Sequence, residues 1–593
     1  MDGLLPVSVA SGCGSGLLTW GTPRRLPWLG ALLLWMSTDP LGLWLAGWIA
    51  LVPWVMLTHP AVTLRRRDYC RLWLAGSVFW LLALYGLCFA HPAMFLGWLT
   101  LGGYLGVYPA LFVGLVRVAR RHAIPAIMAA PSIWIGLECI RSYAFTGLSV
   151  CQLGHSQVAL PVILQVADIG GSYAVGFVVA SVATALAIWI ETRHPLLRGR
   201  DAGDNEMDPK ASGRQREVPK LATIDRRPLV TSALAGSLLL ATLAYGLWRL
   251  GQIPAGSEAQ SLGIAIALIQ RNERTEYIMP SERYSQIFMA YVRGSQVAMT
   301  DSPEQSIDLV VWPESMFAVG TPWMVLAENA TSGEELGLTP PQRDGLIAER
   351  NEAFRQQAAS LQRQLAIAGD QAELPALLLG CGVVSFAERM HSYSGAVWVD
   401  RASQVTQWYG KRHLVMFGEY IPLLEWVPAL FDYLPAPRTT PGTEFRTMQL
   451  GTVRIAPNIC FETAVEHATI NQVRQLTAAG QAPDVIVNLT NDAWFNGSAV
   501  LDHHRRCSIM AAVGTRRPLL MASNTGPTCW IDGCGRVIGE IDKQTDGHVI
   551  ARPTRDNRWG PYQWWSDRPI GLLVGFVVFC SGIGWRQRNT PPA

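Results

Sequence analysis

Three residues in the second half of this 593-residue chain have side chains that could together make and break an acyl bond: Glu314, Lys411 and Cys460. Glu314 follows the apolar run 307–312 through Pro313, so a strand would deliver its carboxylate to the rim of a core. Burial there raises a carboxyl pKa and makes a competent general base. Lys411 follows the run 405–409 within Gly410-Lys411-Arg412-His413, and it is one of only four lysines (Lys210, Lys220, Lys411, Lys543) among 48 basic residues. In a chain that writes arginine almost everywhere else, a need for a compact ammonium at 411 is one reading, and a surface lysine is the plainer one. Cys460 closes the run 453–459, with Phe461 and Glu462 opening a helix. A thiol at such a turn feels the positive helix end, which favours the thiolate. Taken singly, each has a plainer reading: a loop carboxylate, an exposed charged turn, an inert packed cysteine. Taken together they supply a base, a charge stabiliser and a nucleophile, each at the end of a strand.

The elements that must position them follow from the hydrophobic pattern. Beyond residue 260, short runs rich in Val, Ile and Leu at 262–269, 307–312, 376–384, 395–399, 453–459 and 484–489 alternate with helical patterns, notably 351–367 and 466–479. That alternation predicts an α/β domain with a largely buried sheet. The closer runs 518–522, 528–531 and 536–541 predict hairpins. Cys529 and Cys534 flank a turn at Asp532-Gly533, where a disulfide is one reading and two separate thiols the plainer one; the eleven cysteines lack metal-ligand spacing, and no metal or other cofactor is expected.

The other half of the chain is unlike this one. Residues 72–190 carry six charged side chains, about 5%, whereas residues 261–567 carry 57, about 19%. With 16% charged and 50% hydrophobic residues overall, an ordinary cytosolic protein and a disordered or collagen-like chain are excluded. A bilayer core about 30 Å thick takes roughly 20 residues of helix. Eight spans are predicted: near 26–38, at 41–57, two in a hairpin within 72–116 broken at His91-Pro92, and at 124–137, 160–190, 229–248 and 570–585. Arg24-Arg25, Arg65-Arg66-Arg67, Arg120-Arg121, the loop 193–227 and Arg586 with Arg588 alternate with connections poor in Lys and Arg. The positive-inside rule then places these clusters in the cytoplasm and the polar segment 250–567 on the opposite side. The expected division is a membrane domain at 1–250 of about seven helices with a polar cytoplasmic loop near 191–227, an external domain at 251–567, and a last span with a short cytoplasmic tail at 568–593. A net charge of +3 argues for no nucleic-acid partner.

Trp312-Pro313-Glu314, Gly410-Lys411-Arg412-His413-Leu414 and Asn458-Ile459-Cys460-Phe461-Glu462 resemble the Glu, Lys and Cys motifs of the nitrilase (carbon-nitrogen hydrolase) superfamily, in its order. Phe417-Gly418-Glu419-Tyr420-Ile421-Pro422, Asn491-Asp492-Ala493-Trp494-Phe495 and Arg517-Pro518 with Ser523-Asn524-Thr525-Gly526 narrow the resemblance to the apolipoprotein N-acyltransferase family. Glu138 to Arg141, Thr146-Gly147, Ser156-Gln157 and Asp168-Ile169-Gly170-Gly171 resemble that family within the membrane half, so the likeness spans nearly the whole chain.

The resemblance implies a multi-pass α-helical membrane domain joined to a nitrilase-like αββα sandwich, set in the bacterial inner membrane with the catalytic domain in the periplasm. It implies transfer of a fatty acyl chain from a phospholipid, through a cysteine thioester, to the α-amino group of the diacylglyceryl-cysteine that begins an apolipoprotein. Glu314 would be the general base, Lys411 the charge stabiliser and Cys460 the nucleophile, with Glu419, Phe461 and Glu462 in support. Such an enzyme must keep water from its thioester. The stretch 423–434, with Trp426, Phe431 and Tyr433, is a candidate lid, with core or ordinary loop packing as the alternative; Asn491, Asp492, Trp494 and His504 are candidate substrate contacts. The chain departs from the family pattern in three places. Phe461 stands where Tyr is expected, Ile509 and Gly514 stand where Arg and Glu are expected, and an insertion at 325–367 follows the Glu motif. Two other readings stand beside this one. A membrane-tethered amidase or nitrilase would use the same three residues and finish with water, and a non-catalytic membrane protein would only bind lipid or lipoprotein.

Overall fold

In the computed structural model, which describes residues 24–92, 94–193, 227–252, 261–275, 280–302, 306–317, 322–327, 330, 337–416, 418–420 and 439–589, the runs beyond residue 260 form two sheets. The first holds β1 (Ile266–Gln270), β2 (Leu309–Trp312), β3 (Trp323–Leu326), β4 (Ala376–Phe386), β5 (Met390–Val399) and β6 (Val405–Gly410). The second holds β7 (Met448–Leu450), β8 (Val453–Ile459), β9 (Val485–Thr490), β10 (Leu519–Ser523), β11 (Thr528–Ile531) and β12 (Val537–Ile541), and β13 (Gly547–Ala551) crosses back to the first. The orders are β13-β1-β2-β4-β5-β6, with β3 on β4, and β12-β11-β10-β9-β8-β7. The strands β1, β2 and β4 run parallel, as do β8, β9 and β10.

Period-two alternation explains the layering. Ile266, Leu268, Leu309 and Val311 meet Ile455, Val487 and Leu520 between the sheets. The alternate residues Ala267, Ile269, Val310 and Trp312 lie under the helices Ser281–Thr300 and Pro340–Ala368. Across the second sheet, Ile486, Leu519 and Met521 lie under the helices Glu466–Ala478 and Ala499–Thr515. Both faces of each central strand are therefore buried, which is why those strands read as continuous apolar runs. The result is the expected αββα sandwich.

One expectation changes. Much of the segment read as an insertion, 325–367, is the helix Pro340–Ala368, started by a Thr339–Gln342 capping box. Its Phe354, Ala358, Leu361 and Leu365 are buried, and the Phe354 ring lies 4.8 Å from that of Phe317. This helix is part of the outer layer that covers the Glu motif's strand, and its packing integrates it into the sandwich.

In the other half, Met94–Arg121, Ala167–Arg193 and Pro228–Gly251 are long and apolar enough to cross a membrane by length and composition, while Leu26–Met36, Trp44–Met56 and Ile570–Arg586 are apolar but shorter. The 72–116 run breaks where expected, at the turn Tyr85–Phe89 and His91-Pro92 before Met94. Most of the polar loop expected at 191–227 lies outside the described residues. The helix Ala167–Arg193 kinks at Gly170 and Gly171. Gly171 has φ +62°, and a Cβ there would come within 2.3 Å of Glu466 Oε1. The close approach lets the Ser172 N–H donate to that oxygen at 2.9 Å and ties the membrane helix to the sandwich.

Candidate active site

Glu314 lies just past β2, 9% exposed, followed by Ser315 at φ +63°. A Cβ on Gly380 of β4 would fall 2.2 Å from the Pro313 carbonyl oxygen and 2.6 Å from the Glu314 Cα, so only glycine lets the Glu turn cross over β4. Two donors converge on Glu314 Oε1: Ser394 Oγ at 2.8 Å and Lys411 Nζ at 3.3 Å. Lys411 leaves β6 fully enclosed, its backbone N–H bonded to the Ser394 carbonyl at 2.9 Å and its Nζ donating to Glu419 Oε1 at 2.9 Å. Glu419 is aimed in turn by the Val415 N–H, 2.8 Å from its Oε2. Burial alone would lower the Lys411 pKa, but the Glu314 and Glu419 carboxylates beside it hold it well above the ordinary lysine value. The ammonium therefore stays charged. Two of its three N–H donors are engaged by these carboxylates, and the third can meet a developing oxyanion.

Cys460 ends β8 in the three-residue 3-10 turn Cys460–Glu462, with φ +49°. A non-glycine residue in that region carries about 1–2 kcal/mol of strain, and the surroundings hold it there. The Cys460 carbonyl accepts from Asn488 Nδ2 at 3.0 Å and faces His504 Nε2 at 3.0 Å. Glu462 joins this turn to the lysine turn. Its Oε2 accepts from the Ile459 N–H at 2.7 Å, its Oε1 from the N–H groups of Arg412 at 2.8 Å and His413 at 3.2 Å, and both oxygens lie within 3.1 Å of the Tyr409 hydroxyl. Burial raises the Glu462 pKa, and these donors oppose the rise.

The thiolate expected at Cys460 is not the resting form. The residue keeps part of its surface exposed, yet burial of the sulfur pushes the thiol pKa well above its ordinary value. Lys411 opposes that shift, while the Glu314 and Asp492 carboxylates reinforce it. No helix end offsets the burial, because only a three-residue 3-10 turn follows the cysteine and the regular helix starts at Glu466. A base must take the proton when the thiol attacks.

The remaining candidates divide. Phe461 is half-buried, its ring 5.9 Å from that of His413, and it packs against the membrane-half core. His504 bonds Thr463 Oγ1 at 2.7 Å and faces Asp492 Oδ2 at 3.4 Å, so both support the carbonyl of the nucleophile. Asn491 instead accepts from Asn524 Nδ2 at 3.0 Å and pairs with Thr275, outside the Glu-Lys-Cys cluster. Trp494 sits half-buried in the turn Asp492–Phe495. Trp426, Phe431 and Tyr433 lie outside the described residues. Cys529 and Cys534 carry free thiols, the latter accepting from Arg558. Among the described residues no three His, Cys, Asp or Glu are grouped as metal ligands are.

Sequence reading missed Ser394, Tyr409 and Asn488. Ser394 carries no motif, and only the antiparallel register that sets Gly395 opposite Gly410 brings it to Glu314 and Lys411. Asn488 is a polar residue set between the apolar Val485, Ile486 and Val487 and Leu489, and that interruption was the available signal.

Known proteins resemble the chain over nearly its whole length. Residues 30–185 match the family model of the apolipoprotein N-acyltransferase N-terminal domain, and residues 265–558 match that of carbon-nitrogen hydrolase. The chain is 37% identical over 579 residues to the apolipoprotein N-acyltransferase of Rhodopirellula baltica, covering 94% of this chain and 95% of the relative. It is 27% identical to the apolipoprotein N-acyltransferase of Geobacter metallireducens, covering 94% of this chain and 96% of that one. With the sandwich, the membrane helices and a near full-length relative in agreement, the chain belongs to the apolipoprotein N-acyltransferase family.

Proposed function

We propose that Cys460, Glu314 and Lys411 carry out acyl transfer in two half-reactions, taking a fatty acyl group from a membrane phospholipid and giving it to the α-amine of a diacylated apolipoprotein. The observation that carries this reading is Lys411, enclosed and charged between Glu314 and Glu419 with a third N–H to spare. In the first half, Glu314 takes the Cys460 proton as the sulfur bonds to the ester carbonyl carbon, and Lys411 stabilises the oxyanion. The ester C–O bond then breaks, and the lysophospholipid alkoxide leaves with the proton from Glu314. In the second half, the α-amine attacks the thioester and loses a proton to Glu314. The C–S bond breaks, the amide is complete, and the proton returns to the sulfur. Glu419 keeps Lys411 in place throughout, and Glu462 keeps the cysteine and lysine turns in register.

The same reading assigns residues 251–567 to the periplasm and 1–250 with 568–593 to the inner membrane and its cytoplasmic face. The clustering of Arg66, Arg67, Arg120, Arg121 and Arg586 at span ends supports this orientation.

The test follows the acyl group. Full-length protein is incubated with acyl-labelled phospholipid and then with a diacylated lipopeptide. The account expects a label on the enzyme that hydroxylamine removes, that is absent in Cys460→Ala, and that passes to the peptide amine. Label released only to water would establish a hydrolase instead, and equal label on Cys460→Ala would reject the mechanism.

A further inference from the structure

At the seam between the last span and the sandwich lies a cavity of about 340 Å³, in the lower part of the range for ligand sites. Three elements line it: Tyr143 from the helix Ala126–Tyr143, Asn471 and Arg474 from Glu466–Ala478, and Ser566, Asp567 and Arg568 just before Ile570–Asn589. Its carboxylate is already engaged, since Asp567 accepts from the hydroxyls of Tyr562 at 2.5 Å and Tyr143 at 2.9 Å. Its two cations are not, because neither guanidinium has a protein partner among the described residues. Arg474 is half-buried and Arg568 exposed. Trp559 and Trp564 precede the last span in sequence and Leu572 lies in its first turn, all three exposed, as are side chains that sit at a membrane–water boundary. Arginine is disfavoured beside a span on the side away from the cytoplasm, and Arg568 stands two residues before this one, at the end that carries the sandwich.

We propose that this cavity binds the phosphate of a phospholipid headgroup, with Arg474 and Arg568 as the two cationic jaws and Asn471 and Ser566 offering further hydrogen bonds. Guanidinium groups match phosphate oxygens in a forked geometry, and the low-polarity membrane boundary strengthens the pairing. None of the lining residues is Glu314, Lys411, Cys460, Glu419 or Glu462. From Phe461 beside the nucleophile, ring centroids run 5.9 Å to His413, 6.0 Å to His467 and 4.1 Å to Tyr143, the cavity wall. A lipid held there would join the membrane helices, the sandwich and the last span at one point, and in this proposal it is a second molecule beside the one cleaved at Cys460. This inference does not depend on the proposed half-reactions.

The test uses full-length protein in detergent, the Arg474→Gln/Arg568→Gln variant, the single Arg568→Gln variant and the Arg474→Lys/Arg568→Lys variant. Dioleoyl phosphatidylglycerol and inorganic phosphate are the two probes, read by native mass spectrometry and by the shift in unfolding temperature. The double glutamine variant is expected to hold the lipid about tenfold more weakly than wild type, the single variant to fall between them, and the lysine variant to recover most of the binding. Thioester labelling at Cys460 should change little in any of them. Displacement of the lipid by inorganic phosphate identifies phosphate alone as the recognised group; lipid binding that phosphate does not compete identifies a headgroup held together with its chains. Equal lipid retention and equal thermal shift in wild type and both glutamine variants would overturn the proposal.

Discussion

At the nucleophile, burial and Lys411 pull the thiol pKa in opposite directions, and burial wins. The consequence can be measured in the substrate-free enzyme. Alkylation of Cys460 should keep accelerating above about pH 9, whereas an unperturbed thiol levels off past about 8.5. A plateau near 8.5 would contradict the assignment of a protonated resting cysteine. Removing the cation should hurt more than its exposure suggests, because Lys411→Met leaves Glu314 and Glu419 without their shared partner. Thioester formation is expected to fall by about 100-fold or more. Lys411→Arg should not restore it, since a planar guanidinium cannot occupy a site shaped for a point charge. The three residue types were legible in the sequence because each follows an apolar run. The protonation state was not, because it depends on what encloses the sulfur and on how short the turn after it is.

Turns rather than regular elements set the geometry, and two of them can be tested. Gly380→Ala places a methyl 2.2 Å from the Pro313 carbonyl oxygen, so the Glu turn must shift. Because displacement of a catalytic group by about 1 Å can cost 100-fold, kcat should fall by at least about tenfold while Cys460 remains open to alkylation. Wild-type kcat in this variant would show that the base tolerates displacement. Glu462 is a positioning residue. Glu462→Gln swaps one accepting oxygen for an amide that cannot accept from the Ile459 N–H, or from those of Arg412 and His413, depending on its orientation. We expect kcat to drop with KM little changed and stability to fall by about 1–3 kcal/mol. An unaltered kcat would remove Glu462 from the positioning role. At this scale the strands were readable from their period, and the helical pattern at 351–367 was visible too. Its place in the outer layer was not, because that follows from Phe354 and Leu361 meeting the buried face of a sheet formed by distant residues.

The two halves dock through buried polar contacts. Asp168 is shared between Arg516, with Nη2 2.5 Å away, and Arg249, with Nη2 2.6 Å away. Glu466 meets the Ser172 N–H beside the Gly171 kink. Burial raises the Glu466 pKa to about 8, with Asp567 adding to the rise and Ser172 opposing it. A glutamic acid in the unfolded chain titrates near 4.3. The folded state therefore binds the proton more tightly, so this group's contribution to stability is full below about pH 4.3 and is lost as the pH rises through about 8. Glu466→Gln, which keeps an uncharged acceptor, should flatten the fall in unfolding temperature between about pH 5 and 8. An unchanged slope would show that Glu466 titrates normally. Composition revealed the division into an apolar and a polar half; this seam was not legible, since the partners that cross it, Asp168 with Arg516 and Ser172 with Glu466, lie 348 and 294 residues apart in sequence. The central claim is that Cys460 carries the acyl group between lipid and amine. The most direct measurement is peptide-level mass spectrometry of the full-length enzyme quenched after exposure to a phospholipid of known chains, with and without the diacylated lipopeptide. The account predicts one acyl group on the peptide containing Cys460, discharged when the lipopeptide is added. An acyl group on any other residue, or none while transfer proceeds, would contradict it.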